Sequence, residues 1–349
     1  MTETLRPSAD WTAIADSHAP AASRNDAIDS MRGIAILMVI GIHSLQQPLD
    51  TPWVIAVDAA LRPCVPVFLF VSGYLTALSG RVPLAKRISA ALIPYSFAFT
   101  AAYIYMAQHN PAMDHRPVTV LARFTLAYVF VYYYVFVYVG CTVMMWLLLV
   151  TAGRATDPGQ RLAAALVLAI AAGLIVGSYL DPALSRLGLS DSLIEEVRLR
   201  DIAFWFSFMA AGALVAMAGS AFSTALRGVL PGATLVAYAI YALVRICGIG
   251  DAAAYDSIAF FAYATLLCCW LITTQPRSPL LAALGSGSYF IYLWHIFIVM
   301  ALRDHAPLRQ FGPLVNAAVT SGATVLLSVA ALMTVRQVAP ARLLRWLGA

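Results

Sequence analysis

Three observations predict an all-α integral membrane protein with about ten transmembrane helices and both termini in the cytoplasm. Hydrophobic residues make up 61% of the 349-residue chain, charged residues only 11%, and the mean hydropathy is +0.80, whereas soluble domains carry roughly 25% charged residues. Ten apolar runs approach the ~20 residues that a helix needs to cross a bilayer, near 31–48, 63–79, 88–107, 124–151, 161–180, 202–219, 229–248, 257–274, 283–302 and 313–335. The breaks between them carry Pro, Gly and charge, as in SGRVPLAKR, GRATDPGQR, TTQPRSP and RDHAPLRQFGP, the residues that end helices.

The elements follow in order. Residues 1–27 are polar, with no early apolar core or small-residue cleavage site, and read as a retained, flexible cytoplasmic tail. Residues 28–337 form the membrane domain and 338–349 a short cytoplasmic tail. In the third run Pro94 is expected to bend the helix. The fourth run is overlong, so it is tilted, kinked near Gly140 or partly outside the membrane. Ten spans put both termini on one side, and charge says which. The tails and the loops after even-numbered runs hold thirteen of the 22 basic residues, among them Arg32, Arg81, Lys86, Arg87, Arg277 and Arg336, which the positive-inside rule assigns to the cytoplasm. The other face holds eleven of the 17 acidic residues, and its longest loop is Asp181 to Asp201. Much of the formal net charge of +5 is therefore topological and gives no ground for a nucleic-acid partner. Cys64, Cys141, Cys247, Cys268 and Cys269 sit in or beside apolar runs without CxxC spacing, as small core residues do, and no metal is expected.

The first run, DSMRGIAILMVIGIHSLQQ, ends on an imidazole. Arg32 and His43 are eleven residues apart, or ~1100° of rotation and ~16 Å of rise on a helix, so they share a face. An ionisable group buried in a span is disfavoured unless it lines a cavity or meets a partner; the alternative is a neutral histidine bonded to a neighbouring carbonyl. The spacing itself suggests a ligand. An extended phosphopantetheine arm reaches on the order of 15 Å, so an arginine at the membrane face can hold coenzyme A phosphates while the thioester reaches His43. Neutral imidazole is well matched to taking a hydroxyl proton near neutral pH.

Two further stretches join it. In SYFIYLWHIFIVM, His295 lies twelve residues past Ala283, ~18 Å along a straight helix. Tyr292 and Tyr289 stand three and six residues before it on roughly one face, as packing rings or as functional groups. In RPCVPVFLFVSGYLTALSGRVPLAKRISAALIPY, Ser72, Gly73 and Tyr74 interrupt an apolar run, and glycine lets a helix or ligand approach the backbone. Lys86 and Arg87 then open the third run, either as topological charges or as a phosphate-binding rim with Arg32.

At these residues the chain resembles acyltransferase family 3, the membrane O-acyltransferases that modify bacterial surface glycans. The resemblance rests on DSMRGIAILMVIGIH, VPVFLFVSGYL, the basic start followed by IPY, SYFIYLWH and, in the middle, FWFSFMAAGALVA. It implies a ten-helix fold in the bacterial inner membrane, acyl coenzyme A as donor and a sugar hydroxyl as acceptor. It carries over Arg32 and His43 as functional positions, together with Arg87, Ser72, Tyr74 and His295. The expected activity is O-acetyl transfer from acetyl-CoA to a cell-surface or lipid-linked glycan within membrane lipid. His43 is the expected general base, with His295 and Tyr292 beside it in the catalytic group, and Arg32, Lys86, Arg87, Ser72 and Tyr74 hold the donor. A covalent acyl-His or acyl-Tyr intermediate is the other route. From a different class, a transporter or channel would use such histidines for proton relay, but no inverted repeat is visible and acids inside the runs are nearly absent.

Overall fold

The computed structural model describes residues 25–110, 112–127, 131–250 and 255–349; most of the predicted N-terminal tail, residues 1–24, lies outside them. The described residues are helical, without strands. Helix α1 is Asp26–Ser44, α2 Pro52–Leu61, α3 Cys64–Ser79, α4 Leu84–His109, α5 Pro117–Thr125, α6 Tyr133–Ala152, α7 Pro158–Arg186 and α8 Asp191–Leu199. Then follow α9 Ile202–Leu226, α10 Leu230–Ile246, α11 Ile258–Thr274, α12 Pro279–Ser286, α13 Ser288–His305, α14 Pro313–Val338 and α15 Ala341–Leu347.

Among the described residues, seven helical segments are long and apolar enough to cross a bilayer, counting α2 with α3 and α8 with the first part of α9. The bent pair α12–α13 makes an eighth, and α10 and α11, at 17 residues each, are shorter. Large apolar side chains lie outermost on the bundle, among them Leu168, Leu235, Leu326 and Val338, an exposure that water disfavours and lipid accepts. The protein is a multi-pass membrane protein.

Side-chain caps set several helix starts. Asn25 accepts from Ala27 N and Ile28 N at the head of α1, and Asp201 and Ser257 do the same for α9 and α11, supplying acceptors to amides that have none within the helix. Small residues then decide how closely the helices lie. A Cβ at Gly73 would collide with the Met209 carbonyl and one at Gly212 with the Phe70 carbonyl, so α3 and α9 touch backbone to backbone. Gly33 meets the Leu281 carbonyl and Gly285 the Asp29 carbonyl in the same way, pinning α12 across the first turns of α1.

Two runs differ from their sequence reading. The fourth does not bend at Gly140, which lies inside α6 against Ile202. It is broken instead between α5 and α6, where Ala127 takes φ 51° and Arg200 donates to the Leu126 and Ala127 carbonyls. The ninth is two helices at 79°, parted at the small residues Gly285, Ser286 and Gly287. His295 is therefore seven residues into α13, ~10 Å along it, and the straight-helix figure of ~18 Å does not apply. Pro94 sits inside an unbroken α4, and the expected loop from Asp181 to Asp201 contains the last turn of α7 and all of α8. Of the cysteines, all free, only Cys247 is exposed.

Candidate active site

A cavity of about 710 Å³ lies among the first turns of α1, α4 and α13, the middle of α3, the end of α12 and the start of α6. Arg32, Lys86 and Arg87 give it a cationic rim, and Asp29, Ser72, Ser286 and Ser288 add polar groups. Arg32 reaches Asp29 one turn earlier at 3.3 Å and keeps 34% of its side chain exposed. Arg87 donates to the Thr76 hydroxyl at 2.7 Å, and Thr76 donates to the Ser72 carbonyl at 2.6 Å. No carboxylate lies within ion-pair distance of Lys86 or Arg87 among the described residues.

Tyr134, Tyr138, Tyr289 and Tyr292 form the inner wall. Tyr289 and Tyr292 stack at 6.2 Å, and Tyr292 meets Tyr134 edge-on at 5.4 Å. Their hydroxyls are engaged by carbonyls: Tyr289 donates to Ala91 O and Tyr292 to Val131 O, each at 2.6 Å. Tyr132 donates in return to Leu293 O at 2.9 Å, so a reciprocal pair of tyrosine bonds fixes the segment before α6 against α13. Tyr292 thus presents a ring to the cavity, with its hydroxyl turned to the backbone.

One turn beyond Tyr292 is His295, fully buried, with its ring 6.4 Å from that of Tyr292. Its Nδ1 lies 2.8 Å from Tyr292 O and 3.1 Å from Ile291 O. Carbonyl oxygens only accept, so Nδ1 carries the proton and the Nε2 of the neutral ring is a lone pair. That Nε2 is buried without a hydrogen-bond partner among the described residues. Beside the His295 ring is that of His43, half-buried in the last turn of α1, the ring centroids 5.4 Å apart and the planes tilted by 38°. The arrangement is a cationic pocket, a tyrosine wall and, behind the wall, two neighbouring imidazoles. It offers anion binding at one end and proton acceptance at the other.

Of the residues singled out in the sequence, Arg32, Lys86, Arg87, Ser72 and Tyr292 meet in the cavity, and His43 and His295 meet behind it. Tyr74 is apart, packing half-buried against the second apolar core around Met31, Phe70 and Cys268. Asp29, Tyr134 and Tyr138 were missed. The signal for the tyrosines was there, in an i, i+4 pair at the tyrosine-rich VYYYVFVY. Among the described residues no three His, Cys, Asp or Glu side chains converge in a way that would hold a metal ion.

The model of the family described as an acyltransferase domain, the third of the acyltransferase families, matches residues 25–333, a stretch that includes every cavity residue and both histidines. The chain belongs to acyltransferase family 3. No curated protein and no solved structure matches it. As a family 3 acyltransferase it handles an acyl donor and an acceptor.

Proposed function

We propose that this protein is an inner-membrane O-acetyltransferase of bacteria, moving the acetyl group of cytoplasmic acetyl-CoA to a sugar hydroxyl of a surface or lipid-linked glycan. The observation that carries the reading is the succession from the rim of Arg32, Lys86 and Arg87, along the tyrosine wall, to the pair His43–His295. Guanidinium and ammonium groups suit the phosphates of the donor, and aromatic walls suit its apolar arm. The pantetheine would run past Tyr292 towards His43. The sugar oxygen attacks the thioester carbonyl while His43 takes its proton; the carbon–sulfur bond breaks, and the thiolate leaves and is protonated as free coenzyme A. Direct transfer is favoured over an acyl-tyrosine because the Tyr292 hydroxyl is held by Val131 O. Membership of an acyltransferase family argues against proton relay in a transporter.

His43→Ala tests the reading. The variant should insert and bind coenzyme A but lose about 10²–10⁴-fold in transfer, the range for a lost general base, and His43→Gln should not restore it. Mass spectrometry of the surface glycan from cells carrying each variant measures the loss. Normal acetylation by correctly inserted His43→Ala would remove His43 from the chemistry.

A further inference from the structure

We infer that Arg303 is a positioning residue for His43, an inference that rests on the reading of His43 above. His43 stands in the last turn of α1, which ends at Ser44 with Leu45 as its cap. The last carbonyls of a helix have no amide four residues on, and the final turn frays unless another donor meets them. Leu45 N serves Ile42 O at 3.3 Å. The next carbonyl, that of His43 itself, is met by Arg303 Nη2 at 2.8 Å, which also lies 3.4 Å from Leu45 O. The imidazole that the reaction needs is thus carried on a turn closed by a guanidinium 260 residues away in sequence.

The origin of that guanidinium gives the contact its meaning. Arg303 is on α13, eight residues beyond His295, ~12 Å further along the same rigid helix. One helix therefore holds His295 through its own backbone and grips the backbone of His43 through Arg303, fixing the interval between the two rings. Arg303 is not occupied elsewhere: it has no ion-pair partner among the described residues, and the neighbouring Asp304 accepts from Tyr105 at 2.6 Å. A cation at a helix C-terminus is also favoured by the dipole of α1.

The test compares Arg303→Ala, Arg303→Lys, His43→Ala and the double variant Arg303→Ala/His43→Ala, purified in detergent. Release of free coenzyme A from acetyl-CoA is followed with a glycan extract of the source cells as acceptor. Arg303→Ala should lower kcat about 10- to 100-fold, the scale of a misplacement of ~1 Å, with acetyl-CoA affinity within twofold of the parent. Arg303→Lys should recover most of it, and Arg303→Ala should add nothing to the loss in His43→Ala. Hydrogen exchange at the Ser44 and Leu45 amides should quicken in Arg303→Ala, a readout independent of turnover. Unchanged kcat and exchange in Arg303→Ala, or losses that multiply in the double variant, would overturn the inference while leaving His43 in place. Full activity in His43→Ala would instead overturn the reading on which it rests.

Discussion

At the cavity, Arg32, Lys86 and Arg87 have one carboxylate between them among the described residues, Asp29, and Arg87 donates to a hydroxyl. Away from the cavity, four largely buried arginines are matched with carboxylates: Arg62, Arg198, Arg200 and Arg245. Arg62 and Arg245 both grip Asp58, which is 1% exposed, and Arg62 stacks over the Tyr255 ring at 3.6 Å. Arg198 binds Asp181 and lies 3.8 Å from Asp256, while Arg200 binds Glu196 and the carbonyls at the break before α6. The same side chain thus serves two ends. Charge that is buried and matched joins helices, and charge left over beside a cavity is available to a ligand.

The largest expected break of this contrast is Asp58→Ala. It leaves two guanidiniums buried without their carboxylate, a loss of about 3–5 kcal/mol for a broken buried pair. Thermal unfolding in detergent should show a much lower midpoint or no folded protein; a shift of a degree or two would place Asp58 among the weak surface pairs. The smallest expected effect is at Asp256, in the loop before α11. Burial first, then the neighbouring Asp181, raise its carboxyl to about 7, against the pull of Arg198. The folded state holds this proton where the unfolded chain, near pH 4, has released it, so stability falls as pH rises from about 4 to 7 and is flat above. Asp256→Asn should abolish that slope and make the protein more stable than the parent at pH 8, with little change at pH 4. A less stable variant at pH 8 would mean that the charged carboxylate is needed by Arg198.

What could be read in advance follows from the same physics. Arg32, Lys86, Arg87 and Ser72 were legible because charge and hydroxyls in apolar helices need a reason, and one cavity gathers them. Tyr74 was not, although it is two residues from Ser72: two residues turn a helix by ~200° and send the ring into the other core. The break before α6 was hidden because its residues are as apolar as a span, and no glycine or proline marks Ala127. The bend between α12 and α13 was signalled by Gly285, Ser286 and Gly287, but in an apolar run those residues also suit close helix packing. Arg303 was beyond reach because its contact joins positions 260 residues apart.

The proposed division of labour puts the donor's phosphates at the cationic rim and its thioester at the histidine pair. Coenzyme A affinity, measured in detergent for Arg32→Ala and His43→Ala beside the parent, tests it most directly. Arg32→Ala should weaken binding about tenfold to over a hundredfold, the ~1.5–3 kcal/mol of a lost charge-assisted contact, with part of the effect masked by high salt. Arg32→Lys should restore only part, because a point charge replaces a planar fork. His43→Ala should bind coenzyme A as the parent does while losing about 10²–10⁴-fold in turnover. Equal loss of binding in both variants, or undiminished binding in Arg32→Ala at low salt, would contradict the division.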